Sequence, residues 1–162
     1  MTHKFTSIIS WVLVLTLTSC AQNHSILTQS KIEAINSELN DSFFKGDLSV
    51  IEKYLYEGTE IYIDLDPDPN SGQEQISLKE YRDLIKISLM FIEDIAVEEE
   101  IVSIDIDEQK GEATLVVKAN ISSDIMGMES VENTISTTLF GLVNGEIKIL
   151  RTSDQLVSSS LE

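Results

Sequence analysis

Histidine, cysteine and tryptophan are nearly missing from this 162-residue chain, which holds two, one and one of them. His3, His24, Trp11 and Cys20 all lie in the first 24 residues, so the body of the chain has no imidazole and no thiol. That removes Ser-His-Asp and Cys-His nucleophilic catalysis there, along with histidine-based zinc sites. A single cysteine cannot form a disulfide within the chain. Basic residues are scarce too: 11 Lys and Arg stand against 28 Asp and Glu, a formal charge of −17. Such a surface repels phosphate backbones and anionic headgroups, which argues against nucleic acid as a partner. Only two prolines occur, Pro67 and Pro69, both in one short stretch. Neither internal repeats nor a second-domain boundary can be read.

What is present begins with an address. Lys4 supplies a positive start, and Ile8 to Leu17 form an apolar run of roughly ten residues. A bilayer span needs about 20, so this run reads as an export signal rather than a membrane helix. Leu17-Thr18-Ser19-Cys20 closes it and resembles a bacterial lipobox. Residues 1–19 are then the signal peptide, Cys20 the lipidated first residue of the mature protein, and 20–28 a polar tether. An ordinary signal peptide, or an anchor helix with an incidental cysteine, is the alternative. Two or three acyl chains give durable anchoring where one is marginal, at roughly 0.8 kcal/mol per buried CH₂. The expected partner is therefore the membrane, reached through palmitate-type acyl chains. Ala21 and Gln22 follow the cysteine where aspartate would mark inner-membrane retention, which favours the outer membrane. Lys4 leaves with the signal, so ten of the 11 basic residues remain against 28 acidic ones, a charge near −18.

About 140 residues remain, enough for one domain with a single core. Ile32, Ile35, Leu39 and Phe43 recur at helical spacing and predict a first helix over about 29–45, stopped by Gly46. Asp47 can cap a short second helix through Tyr56. Residues 59–66 alternate as a strand, and 66–72, with both prolines and Gly72, form a loop. Ser77-Leu78-Lys79-Glu80 is a capping box for a third helix, with Tyr81, Leu84, Ile85, Leu89 and Ile92 as its apolar stripe. Strands then follow at about 96–107, 113–121, 131–143 and 146–153, the last two joined by the hairpin dipeptide Asn144-Gly145. Three helices with a strand among them, then a four-strand meander, is an α+β layout.

Four strings, in this order, resemble the nuclear transport factor 2-like superfamily, also called the polyketide-cyclase-like or cystatin-like cone fold. Phe44-Lys45-Gly46-Asp47 with Ile51 and Leu55 is similar to its junction between helices one and two. Tyr62 to Ile76, ending Gly72-Gln73-Glu74-Gln75-Ile76, is similar to its first strand and the entry to helix three. Ile101 to Asp105 with Ala113 to Val117 resembles a later hairpin, and Leu142 to Ile149 the closing one. Ile147 departs from that last pattern, where an aromatic is common. The resemblance covers residues 29–162. It implies three helices packed on a curved, mainly antiparallel sheet, forming a cone with a pocket. Fold alone does not decide function.

In ketosteroid-isomerase-like members a carboxylate near the end of the first strand, often followed by proline, is the general base. Asp64 and Asp66-Pro67 are the matching candidates here. The oxyanion partners of such a base are a tyrosine on helix one and a protonated aspartate on a later strand. Those positions fall on Leu39 and near Thr137 or Thr138, which cannot replace them. Asp64, Asp66, Asp68, Asn70 and Glu74 space oxygens as a calcium loop does, although Pro69 stands where an EF-hand needs glycine. A plain acidic loop is the other reading. Glu98 and Glu100 continue the face of Val102, Ile104 and Ile106 unless a bulge resets the register, and on a concave face they would enter the pocket. Of the tyrosines at 54, 56, 62 and 81, Tyr62 and Tyr81 are the pocket candidates, and core packing is the ordinary role of the others.

The resulting expectation is an acidic envelope lipoprotein without cofactor, whose domain binds a small apolar or cationic molecule, or an envelope protein, without catalysis. The alternative is an isomerase, dehydratase or hydrolase with Asp64 or Asp66 as base. A homodimer through the outer sheet face is a further possibility, using Thr114, Val116, Lys118 and Asn120 with Glu132, Thr134, Ser136 and Thr138 on the next strand.

Overall fold

The computed structural model describes residues 27–68, 70–125 and 128–161. The signal segment and Cys20 lie outside the described residues. Leu27, inside the stretch expected to be tether, is buried in the core with Ile32 and Ile35.

Three helices come first, and side-chain hydrogen bonds stand at the start of each. In α1 (Gln29–Phe44) the Thr28 hydroxyl oxygen accepts from the Lys31 N–H at 3.3 Å. The helix stops at Gly46, whose φ of +65° is left-handed backbone that a side chain would resist. In α2 (Ser49–Tyr54) the Asp47 carboxylate accepts from the Ser49 N–H at 2.9 Å. In α3 (Leu78–Phe91) the capping box is formed in both directions. Ser77 N–H donates to Glu80 Oε2 at 2.8 Å, and Glu80 N–H donates to Ser77 Oγ at 3.2 Å. The Ser77 hydroxyl also donates to Glu80 Oε2 at 2.6 Å, and that bond, followed by the one from the Ser77 N–H, holds the Glu80 carboxyl below its ordinary value.

Six strands make one sheet: β1 (Glu60–Asp64), β2 (Glu74–Ile76), β3 (Ile92–Asp107), β4 (Glu112–Ile125), β5 (Met128–Val143) and β6 (Glu146–Leu161). Their order is β2-β1-β6-β5-β4-β3, antiparallel throughout except for β1 beside β6. This is the expected α+β cone layout, with one strand more than the sequence reading. β2 is three residues long, too short to show alternation. The hairpin at Asn144-Gly145 has positive φ at both residues, 54° and 83°, as a two-residue turn matched to strand twist requires. β6 runs to Leu161 rather than ending near Ser153, because β5 continues to pair with it through Ser130.

The inner face of the sheet carries Ala113, Leu115 and Val117 from β4, Phe140 from β5 and Ile149 from β6. These pack on Ile32, Ile35 and Leu55 of the helical layer. Burying each large aliphatic or aromatic side chain contributes about 1.5–3 kcal/mol. β3 and β6 bend around the helices at bulges. Register skips Val102 between Ile101 and Ser103, Leu150 between Ile149 and Arg151, and Val157 between Leu156 and Ser158. At the second bulge the chain passes close over Gly141. A Cβ there would stand 2.5 Å from Leu150 Cδ1.

Pairing also corrects the outer face. Lys118 sits opposite Ile135 and Val116 opposite Thr137. The outer row of β5 is therefore Asn133, Ile135, Thr137 and Leu139. Glu132, Thr134, Ser136 and Thr138 turn inward, so the expected dimer surface was shifted by one residue on that strand.

Candidate functional site

Between the helices and the concave face lies a cavity of about 190 Å³. α1 contributes Asn36, Leu39, Asn40 and Phe43, a row at helical spacing that alternates amide and apolar groups. α2 adds Ile51 and Leu55, and α3 adds Tyr81. The sheet contributes Glu99 from β3, Leu115, Val117 and Ala119 from β4, and Ser136 and Thr138 from β5. From β6 come Ile149, Thr152 and Asp154.

Two carboxyl groups and one phenol set its chemistry. Glu99 stands at the exposed mouth, where Asn36 Nδ2 donates to its Oε2 at 3.2 Å and Asn40 Nδ2 donates to the same oxygen. Asp154 lies deeper, half-buried, and accepts from Ser136 Oγ at 2.6 Å across the β5–β6 pair. Burial pushes the Asp154 carboxyl above its ordinary value, and the Ser136 hydrogen bond opposes part of that. Burial likewise raises the Tyr81 phenol, and the charge of Asp154 adds to it. The Tyr81 hydroxyl has no hydrogen-bond partner among the described residues, nor is it sealed from solvent-sized space, since no buried side-chain atom lacks a partner. Its hydroxyl and the Asp154 carboxyl, with the Thr138 and Thr152 hydroxyls, are the polar groups left open to a ligand. Among the described residues no Lys, Arg or His lines the cavity.

Of the pocket, catalytic and metal candidates read from the sequence, Tyr81 lies here, together with the oxyanion-partner positions Leu39 and Thr138. Tyr62 and Asp64 share the outer side of β1 with Glu60, whose carboxylate accepts from Arg151 at 2.5 Å. The Arg151 guanidinium stands 5.6 Å from the Tyr62 ring centre, so Tyr62 faces away from the cavity. Asp64 is buried, but under its own loop. Ser71 Oγ donates to both its carboxylate oxygens at 2.9 and 3.0 Å, and the Asp66 N–H donates at 3.2 Å. Asp66 and Asp68 repeat the pattern, each accepting from the backbone N–H two residues on. Asp66, Asp68, Asn70 and Glu74 are exposed. The oxygens expected for calcium are thus turned onto the loop's backbone, and among the described residues no three acidic, His or Cys side chains converge to hold a metal.

Glu98 and Glu100 lie outside as well. The bulge at Val102 resets β3, so Ile104 and Ile106 face inward together with Glu99 and Ile101 rather than with Glu98 and Glu100. Those two border a shallow groove with Lys118 and Ile135 on the outer side. Asp154 escaped the sequence reading for a parallel reason. Simple alternation from Ile147 and Ile149 places Arg151 and Ser153 inside, whereas the bulge at Leu150 turns Thr152 and Asp154 inward. The Asn36 and Asn40 pair carried a signal, since amides four apart beside an apolar stripe face one direction on a helix.

No family model matches the chain, and no curated protein resembles it in sequence. Solved structures do resemble it in fold. A type-3 hexachlorocyclohexane dehydrochlorinase from Novosphingobium barchaimii superposes with a TM-score of 0.67 at 8% identity, over 86% of this chain and 92% of that one. A nuclear transport factor 2-like protein from Cytophaga hutchinsonii gives 0.58 at 15% identity, over 80% and 99%. Another, from Rhodospirillum rubrum and described as of unknown function in nutrient uptake, gives 0.60 at 13%, over 78% and 98%. The fold is the nuclear transport factor 2-like cone.

Proposed function

We propose that this is a lipid-anchored envelope protein, held by acyl chains on Cys20, whose cone domain binds a compact, partly apolar molecule and does not transform it. The single observation behind the binding role is the cavity itself: apolar walls around a half-buried carboxyl and an unpartnered phenol, a combination typical of ligand sites. At about 190 Å³ it holds roughly six water-sized volumes, which limits the ligand to one ring or a short chain. Non-catalytic binding is supported by the loss of both expected bases to the outer side, Asp64 to its own loop and Asp66 to solvent. Among the described residues no helix is long and apolar enough to cross a membrane, which is compatible with a lipid tether.

Two measurements test this. Mass spectrometry of the membrane fraction should find acyl mass on the peptide beginning at Cys20, and Cys20→Ala should abolish it. Native mass spectrometry of the intact protein from its own membranes should show a small co-purified molecule, lost when Leu115→Trp fills the cavity. An unmodified Cys20 would remove the anchor, and a cavity that captures nothing would remove the binding role.

A catalytic reading has one observation in its favour: a carboxyl raised by burial stands with a phenol in one cavity, as acid–base sites require. The dehydrochlorinase likeness is compatible with it at the level of fold. Asp154, not Asp64 or Asp66, would be its base. Deuterium exchange at the α-carbon of small cyclic ketones, dependent on Asp154, is the readout that would favour it over simple binding.

A further inference from the structure

The cavity is one-sided in charge, and that bears on what can occupy it. Resting on the small-ligand reading above, we infer that the ligand is a compact organic cation, a primary or secondary amine whose ammonium sits between Asp154 and Tyr81. Three features of the site carry this. Glu99 and Asp154 are the charged groups lining the space, one at the mouth and one deeper, and among the described residues no basic side chain answers either. Ser136 supplies one hydrogen bond to Asp154 and leaves the rest of its acceptor capacity open. The Tyr81 oxygen, without a partner, can accept from an N–H while its ring offers a face to positive charge.

The alternatives fare worse on the same geometry. An anion would meet two carboxyl groups and no donor charge. A neutral ligand would leave Asp154 either ionised without a counter-charge or holding a proton. The first state is costly where the carboxyl is desolvated, and the second gives the ligand no charge-assisted bond. An ammonium converts that cost into a charge-assisted hydrogen bond, and Leu39, Phe43, Val117 and Ile149 receive its carbon body. The formal charge of −17 adds a long-range pull, since an acidic surface raises the local concentration of cations. Glu99, steered by Asn36 and Asn40 at the mouth, is the first carboxylate an entering cation meets.

The test is calorimetric titration of the intact protein in neutral detergent with matched pairs, cyclohexylamine against cyclohexanol and benzylamine against benzyl alcohol. Each amine should bind at least about tenfold tighter than its alcohol, as one charge-assisted bond implies. Asp154→Asn should weaken the amine at least about tenfold more than it weakens the alcohol. Glu99→Gln, at an exposed position that does not endanger folding, should weaken amines a few-fold more than alcohols. Melting curves of both variants confirm that they are folded. Alcohols binding as well as amines, or an amine preference that survives in both variants, would overturn the cation while leaving the small-ligand reading intact. Binding of neither member of a pair would overturn both.

Discussion

Ser136 Oγ lies 2.6 Å from Asp154 Oδ1, joining two neighbouring strands inside the cavity. It is one hydrogen bond for a carboxyl that burial has otherwise pushed toward its protonated form. The folded protein therefore keeps this proton to higher pH than the unfolded chain, whose carboxyl titrates near 3.8. In the window above that value the folded state binds more protons, so this group's contribution is largest at low pH. It is lost as pH rises through the raised folded value. Tyr81 from α3 and Glu99 from β3 face the same space, and the Tyr81 phenol, raised by burial, keeps its proton throughout this range. Asp154→Asn, which can still accept from Ser136, should be more stable than wild type near pH 8 by about 1 kcal/mol. The difference should shrink toward about pH 4. Urea denaturation of both proteins across that range checks it, and a constant difference would sink the assignment.

Gly141→Ala tests the close passage at the Leu150 bulge. The new methyl must displace the end of the Leu150 side chain, which can rotate but is already packed. A cost of about 1–2 kcal/mol is expected. In a double-mutant cycle with Leu150→Ala, part of that cost should vanish, by about 0.5 kcal/mol or more. Strict additivity would mean that the contact is not the cause.

Ser77→Ala should cost about 1 kcal/mol by removing the acceptor for the Glu80 N–H at the head of α3. Because α3 carries Tyr81 one turn into the helix, the variant should also weaken ligand binding before it unfolds the domain. Thermal melts with and without ligand separate the two effects.

Phe140→Ala should be the most damaging of the set, at about 3–5 kcal/mol, since that ring is 1% exposed at the centre of the sheet's inner face. Against a typical domain stability of about 5–15 kcal/mol the variant stands near the limit of folding. Expression level and urea midpoint report it.

Helices and strands were legible because their signals are local: the capping box at Ser77, the stripe from Ile32 to Phe43, the Asn144-Gly145 turn. The overall cone was legible from their order. The site was not, and two bulged residues explain most of the failure. Alternation reads a strand correctly only up to the first extra residue. Val102 and Leu150 carry no side chain that marks them as bulged, being ordinary β-formers. Past each of them the inward and outward rows exchange, so Glu98 and Glu100 were expected where Glu99 stands, and Asp154 was missed. Tyr62 and Asp64 failed for another reason. Their strand lies one pairing away from the cavity-bearing strands, and only the Arg151 contact reveals which side they take.

The extra residue at Val102 has a consequence for how such a protein can change. Removing it would restore plain alternation and leave the pairing elsewhere as it is, with Ile101 opposite Val117 and Glu99 still opposite Ala119 at the mouth. The bulge is therefore a place where chain length can vary without disturbing the entrance. With Glu98, Glu99 and Glu100 in succession, a slip of β3 by one position either way would also keep a carboxylate there.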